Sequence, residues 1–484
     1  MAHRFPIAAL ALALAANLSM ADGPKEVVEP QSVALTRETI SAPTVQQLVE
    51  GIVRHHPEFR ATLARTDQAA GLQQVADAAF DARITQDTSV RASGYYDGSY
   101  AKQTISQPIA AMNGELFGSY RIAGGQFPVY EAEFDTLDLG EASMGIRLSL
   151  LQNRVLDERR IELQQAAWKL LAAQSKQDVE LNKLVYAGVS SYLNWYQSFR
   201  RLGVIRDLVR ITQERFSGIE ARVDSGDLAQ ISLTEFQSTL LRRQLLEREA
   251  EQRFELAKQQ LAYFWRVSNS AMATPQAMGQ PPQDIGWPYK APSIDLSAFD
   301  DQIAQHPSVS ALNAQLEQAR NQQRLARNEV LPQLDLELKV ARDIGQGIEP
   351  LTGNDSIIGL SFSVPIGQRA ARARESIAAA GVRELEFESV VLTDQLRRDV
   401  ALSLEALDYG RRILAISREQ EAVAEQLQRQ EQERFEAGVS DLFLLINRET
   451  AALQAHLKSV DAEVDLMRQE LALQATLAQL LPSA

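Results

Sequence analysis

Apolar residues spaced in sevens run through about 110 residues, Leu156 to Phe264, with one interruption near Gly226. That stretch limits what the chain can build. Trp195, Leu202, Val209, Phe216 and Val223 fall at seven-residue intervals, with Phe199, Ile205 and Ile219 between them as the second seam position of a coiled coil. Proline is absent throughout. After Gly226 the pattern resumes at once, as Leu233, Leu240, Phe254 and Leu261 on one stripe and Phe236, Ala250, Ala257 and Phe264 on its neighbour. The stretch therefore predicts one long helical hairpin with a tight turn. A descending arm of about 68 residues would be about 100 Å long at 1.5 Å rise per residue, too long for the interior of a compact globule. Such a pair buries its seam only against more helices of the same kind.

The chain repeats its plan. A helix from Thr44 to about Asp81 contains Arg54-His55-His56-Pro57-Glu58, and Ile303-Ala304-Gln305-His306-Pro307-Ser308 opens a second helix reaching Glu329. Each is followed by a strand, a loop, another strand and a long helical hairpin, the order expected of a duplicated unit. The second hairpin descends from about Gln368 to Glu436, turns at Gly438 and returns through Ile446, Leu453, Val460, Met467, Gln474 and Leu481. Repeat 1 spans 44–266, with strands at 83–93 and 143–151 and its tip at Gly226. Repeat 2 spans 299–481, with strands at 331–341 and 356–365 and its tip at Gly438. The segment 267–298 holds Pro275, Pro281, Pro282, Pro288 and Pro292 and reads as a surface connector. The first inter-strand loop, about 93–142, is long and rich in Gly and aromatic residues; the second, about 342–356, is short.

Several functional classes are excluded by composition. A formal net charge of −14 argues against nucleic acid as a partner, since phosphate binding needs a basic face. The absence of cysteine removes disulfides, thiolate metal sites, cysteine nucleophiles and N-terminal lipidation on cysteine. His3 and Arg4 precede the apolar run Ile7 to Ala16, and Ser19-Met20-Ala21 suits signal peptidase, so residues 1–21 read as a secretory signal peptide. Residues 22–43, punctuated by Pro24, Pro30 and Pro43, read as an extended arm. No later segment has 18 consecutive apolar residues, which excludes a helical membrane span. There is no phosphate-binding loop of the G-x-x-x-x-G-K-[ST] type, and the five histidines show no metal-ligand spacing. No catalytic constellation is present; the expectation is a protein that is not an enzyme and carries no cofactor or metal.

The period-two strands carry the membrane signal. Met144, Ile146 and Leu148 alternate with polar residues, as do Leu334, Leu336 and Leu338, and Ile358, Leu360 and Phe362. These side chains are expected to face lipid, and Asp335, Glu337 and Lys339 the barrel lumen, because a charge at mid-membrane depth costs roughly 2–4 kcal/mol for Lys or Arg. With its flanks each strand reaches about 9–11 residues, enough to cross an outer membrane at a tilt. Four strands cannot close a barrel, and open edges are not tolerated in lipid. Two copies would supply eight strands and three copies 12. The alternative is a small sheet capping a non-conducting periplasmic coiled-coil scaffold.

With that plan in hand, the sequence resembles the TolC-like outer-membrane efflux channel family from about Thr44 to Leu481. The resemblance rests on the paired His-Pro openings, on Gly145-Ile-Arg-Leu-Ser-Leu-Leu-Gln152 and Ile358-Gly-Leu-Ser-Phe-Ser-Val-Pro365 leading into long helices, and on the tips at Gly226 and Gly438. It implies a mainly α homotrimer in the cell outer membrane, with a 12-stranded β-barrel and an α-helical tunnel through the periplasm. It also implies a passive exit duct of a tripartite efflux pump, driven by an inner-membrane pump of RND or ABC type. A type I secretion duct is the alternative within the same class. A periplasmic adapter (membrane fusion) protein would dock on the tips, here Arg222, Gly226, Asp227 and Leu228, and Arg434, Gly438, Ser440 and Asp441. In the family's best-known pattern, acidic side chains six and nine residues beyond the second tip glycine ring the periplasmic entrance. Here those positions are Leu444 and Asn447, and in the first repeat Ser232 and Glu235, so the implied acidic ring is missing at the second tip.

Overall fold

The computed structural model describes residues 42–480 apart from 110–112, 267–271, 276–277, 283–284, 291–298 and 348–350. The expected signal peptide, nearly all of the expected arm and part of the connector lie outside the described residues. In chain order the elements are α1 (Val45–His55), α2 (Pro57–Asp77), β1 (Arg83–Val90), β2 (Ser99–Ile109), β3 (Gly114–Gly124), β4 (Glu141–Ser149), α3 (Glu158–Asp224) and α4 (Gln230–Phe264). They continue with α5 (Phe299–Ala304), α6 (Pro307–Asn328), β5 (Gln333–Asp343), β6 (Asn354–Ser363), α7 (Arg369–Glu436) and α8 (Leu442–Thr476).

The duplication is plain in the lengths: α3 and α7 have 67 and 68 residues, and α4 and α8 have 35 each. The described chain divides into two units: one around the sheet, within residues 70–168 and 317–383, and one mostly helical, within residues 42–69, 169–316 and 384–480. The division falls inside α2, α3, α6 and α7, so each unit draws on both sequence repeats.

In the helical unit the heptad positions read from sequence form the core. Trp195, Leu202, Ile205 and Val209 of α3 are buried together with Phe254 and Leu261 of α4, and Leu48 and Ile52 of α1 and Leu471 of α8 close the cluster. The described parts of the connector pack on this core. Met278 and Ile285 are buried in it, Trp287 donates its indole N–H to Glu470 at 2.7 Å, and Gln474 donates to the Lys290 carbonyl at 3.0 Å. No helix among the described residues is long and apolar enough to cross a membrane.

The sheet unit corrects the strand count. Instead of four strands there is one six-stranded sheet in the order β1-β2-β3-β4-β5-β6, every neighbouring pair antiparallel. The segment expected to be a loop at 93–142 carries β2 and β3, and the count of 12 strands for three copies loses its basis. The physical reason is that both added strands hide their period. In β2 the apolar positions Ala101, Ile105 and Ile109 are interrupted on the same face by Gln103 and Gln107, and Pro108 reads as a breaker. In β3 the alternation Leu116, Tyr120, Ile122 is broken by Gly114, Gly118 and Gly124, which read as turn residues.

The two His-Pro openings have one structural job. Pro57 and Pro307 are the first residues of α2 and α6, where a missing N–H costs nothing. The preceding imidazoles act as caps: His56 Nδ1 accepts the Glu58 amide at 3.4 Å, and His306 Nδ1 accepts the Ser308 amide at 3.2 Å. Both rings must be unprotonated at Nδ1 to do this. Burial lowers both pKa values from the ordinary 6.5, with the Arg266 charge adding to the effect at His56. A histidine with a depressed folded pKa favours the folded state fully above the unfolded value, and that contribution is lost as pH falls below about 6.5. Thermal unfolding followed by helical circular dichroism should therefore occur at lower temperature at about pH 5 than at about pH 8. The double variant His56→Asn, His306→Asn, whose amide oxygens can take the same bonds, should show a smaller acid loss. An unchanged pH dependence in that variant would contradict the assignment.

Candidate functional site

Both expected tips are tight turns of one design. At the first, the Gly226 amide donates to the Val223 carbonyl at 3.0 Å and the Asp227 amide to that of Arg222 at 2.9 Å. At the second, Gly438 donates to Phe435 at 3.1 Å and Val439 to Arg434 at 3.0 Å. The glycines take φ of +83° and +72°, and open space surrounds the position of a Cβ at either, so backbone conformation alone calls for glycine. The starts of the returning helices differ. Asp441 caps α8, its carboxylate accepting the Leu444 amide at 2.7 Å, whereas Ala229 heads α4 with no side-chain cap and Asp227 is exposed.

The two tips share an apolar plug. Ile219 and Phe236 of the first hairpin are buried with Phe435, Leu442 and Leu445 of the second, and Leu228 and Leu233 pack at its margin. The Arg222 guanidinium sits 5.3 Å from the Phe435 ring centre, a cation–π contact across the hairpins. Ser440 donates to the buried carboxylate of Glu431, which Arg434 approaches at 4.0 Å. Of the residues expected to line an entrance, Glu235 and Asn447 are exposed, while Ser232 and Leu444 are half-buried.

A polar centre behind this plug was not anticipated from sequence. Glu449 of α8 is fully buried; it accepts from Arg243 of α4 at 2.8 Å and from Arg215 of α3. Arg243 also donates to Thr212, whose hydroxyl bonds the Leu208 carbonyl at 2.6 Å. One carboxylate thus ties both arms of the first hairpin to the second. The signal lay in the heptads: Arg243 stands seven residues from both Phe236 and Ala250, and Glu449 falls between the buried Leu445 and Ala452. A charge in a seam position is the feature to read. Further along, Asp461 accepts from Arg201 and from Gln197 at 2.7 Å.

Among the described residues one set can bring three metal-ligating atoms together, Glu421 and Glu425 of α7 with His456 of α8, all within 4.8 Å of one another. Its members already have uses as coiled-coil flank pairs, His456 with Glu421 at 3.5 Å and Glu425 with Arg429 at 3.7 Å.

In the sheet unit, the register sorts every strand residue to one of two faces. Met144, Ile146 and Leu148 stand opposite Val340, Leu338 and Leu336, and these opposite Ser356, Ile358 and Leu360, with Leu334 opposite Phe362. Asp335, Glu337 and Lys339 lie on the other face. There the charges interlock across strands: Arg121 with Glu141 at 2.8 Å and Lys339 with the same Glu141 at 3.3 Å. Arg147 bridges Glu337 at 2.9 Å and Glu115 at 3.7 Å.

Comparison with known proteins agrees with this geometry. Residues 298–479 match the family model described as outer membrane efflux protein. No curated protein sequence matches the chain. The fold is similar to that of a membrane protein from Pseudomonas aeruginosa, with a TM-score of 0.66 and 16% identity over 90% of this chain and 92% of that one. It is similar to the outer-membrane channel OprN, with a TM-score of 0.66 and 16% identity over 90% of each chain. It is also similar to the outer membrane protein VceC from Vibrio cholerae, with a TM-score of 0.62 and 14% identity over 90% of this chain and 96% of that one. The resemblance to TolC-like outer-membrane channels is thus borne out, in fold along most of the chain and by the family match over the second repeat.

Removing the Glu449 carboxylate would leave Arg243 buried and unpaired, a change that costs about 3–5 kcal/mol. Glu449→Ala should therefore raise amide hydrogen exchange in residues 212–243 and 445–452, while the apolar triple variant Arg215→Met, Arg243→Met, Glu449→Leu should recover most of the protection. Exchange in Glu449→Ala equal to that of the unaltered protein would show that the triad does not hold the hairpins together.

Proposed function

We propose that three copies of this chain form an outer-membrane exit duct, with a barrel in the membrane and a helical tunnel in the periplasm. The observation that carries the reading is a pair of unlike apolar stripes without partners in the chain. On α7, Leu402, Tyr409, Ile416 and Val423 recur in sevens and each is more than half exposed. On α4, Leu241, Leu245 and Leu256 are likewise at least half exposed. An exposed heptad seam is a coiled coil waiting for a partner. Because the two stripes differ and lie on different helices, pairing one copy's α7 with the next copy's α4 is a head-to-tail contact, the kind that forms a ring when the rotation between copies closes.

The sheet supports the same assembly. Its apolar face exposes Met144, Val340, Ile358, Leu360 and Phe362, which suits lipid and would be a liability in water. In this reading Met144, Ile146, Leu148, Leu334, Leu336, Leu338, Ile358, Leu360 and Phe362 face lipid, and Asp335, Glu337 and Lys339 face the lumen. That favours a duct over a periplasmic scaffold.

The tips are the place for a periplasmic adapter. Val439 and Phe443 at the second tip and Ile231 at the first are largely exposed apolar side chains beside the turns and offer such a partner a foothold. The duct acts as the exit of a tripartite efflux pump whose energy comes from an inner-membrane pump, and type I secretion would use the same architecture.

Purified protein in planar bilayers should give discrete single-channel currents. Ile416→Glu, which places a charge in the α7 seam, should migrate as single copies and give none. Channels from assembled Ile416→Glu at the unaltered conductance would refute the seam as the assembly contact.

A further inference from the structure

The geometry points to a barrel wall built from all six strands of each copy, giving 18 strands and a wider exit than the 12 expected. The inference rests on the three-copy assembly proposed above.

The added hairpin β2–β3 is part of the wall and not an appendage to it. It lies between β1 and β4 and is paired over eight residues on each side, from Arg83↔Ser106 to Val90↔Ser99 and from Gly114↔Leu148 to Arg121↔Glu141. Removing it from the wall would leave β1 without a partner and β4 paired on one side only. Its two faces continue those of the outer strands. Leu116 of β3 stands opposite Ile146, and Gly118 opposite Met144 and Ile105, on the apolar face. Glu115 and Arg121 of β3 join the cross-strand charge pairs of the opposite face, and Ser119 bonds Ser143 at 2.7 Å.

The glutamines on the apolar side meet the requirement lipid sets for polar groups, an internal partner. Gln103 donates to Gln86 at 3.1 Å, Gln86 to Thr88 at 3.1 Å, and Gln107 to the Phe80 carbonyl at 2.6 Å.

The register carries the stagger a tilted wall needs. Followed through Ser106, Phe117, Gly145 and Lys339, the first residue of β1, Arg83, shares a row with Ile357, six residues short of the β6 end at Ser363. Both strand ends are the ones joined to helices. An even number of strands also makes β1 of one copy antiparallel to β6 of the next, so three sheets close without a mismatch. Barrel diameter grows roughly in proportion to strand number, so the wall would be about half as wide again as one of 12 strands, and barrels of about 16–18 strands hold an aqueous channel.

Because the chain has no cysteine, single replacements report cleanly. One arm joins copies: the double variant Thr85→Cys, Ser361→Cys, one site on β1 and one on β6, is treated with a short bis-maleimide in membranes. The other arm reads the hairpin: Lys102→Cys, Thr104→Cys and Ser119→Cys against Ala101→Cys, Ile105→Cys and Ile122→Cys, each reacted with a charged maleimide in lipid vesicles. Covalent trimers, with the first set labelled roughly tenfold faster than the second because lipid excludes the charged reagent, are the expected result. Covalent trimers with both sets labelled alike would overturn the 18-strand wall and leave the three-copy duct standing. Failure to join copies would overturn both.

Discussion

Backbone hydrogen bonds at the two edges of one sheet set the terms for the rest of the molecule. β1 and β6 each have a neighbour on one side only, and the apolar face between them is exposed. In hydrocarbon an unpaired N–H or C=O costs several kcal/mol, so a sheet with free edges has no stable place there as a single copy. Water is no better a home for a face that presents Ile358, Leu360 and Phe362 together. In the proposed assembly, closure by further copies would answer both problems, and the exposed seams on α4 and α7 would supply the contact between copies.

The helical unit meets its own constraint by repetition. Two hairpins of nearly equal arm length bury heptad seams against each other, so most of the fold is local helix with one kind of packing. Such packing is permissive about register, since one heptad is much like the next. The buried triad Arg215–Glu449–Arg243 is specific where the seams are not, because a carboxylate displaced by one turn would be buried without its partners. The His-Pro caps act similarly at the helix starts, fixing where α2 and α6 begin.

Most of this order is legible in the sequence where physics imposes a period. The 3.5-residue seam of α3 and α4 and the alternation of β4, β5 and β6 are visible because most residues on the helical seam and on one face of the sheet are apolar. The tips are visible because a left-handed turn calls for glycine. β2 and β3 are not visible: Gln103 and Gln107 of β2 find partners in Gln86 and the Phe80 carbonyl and so need not be apolar, and glycines break the alternation of β3. Nor is Glu449: its charge is compensated by arginines about 200 residues or more away in sequence, a relation no local pattern contains. Ser232, Glu235, Leu444 and Asn447 are marked as entrance residues by the family pattern alone, with no local period that singles them out.

The measurement that tests the account most directly is the protein mass of the species extracted from the outer-membrane fraction in mild detergent, by light scattering corrected for bound detergent. The account predicts three chains per particle. A particle of one chain, stable without detergent, would contradict it, since a six-stranded sheet with two open edges could not then be the wall of a membrane channel.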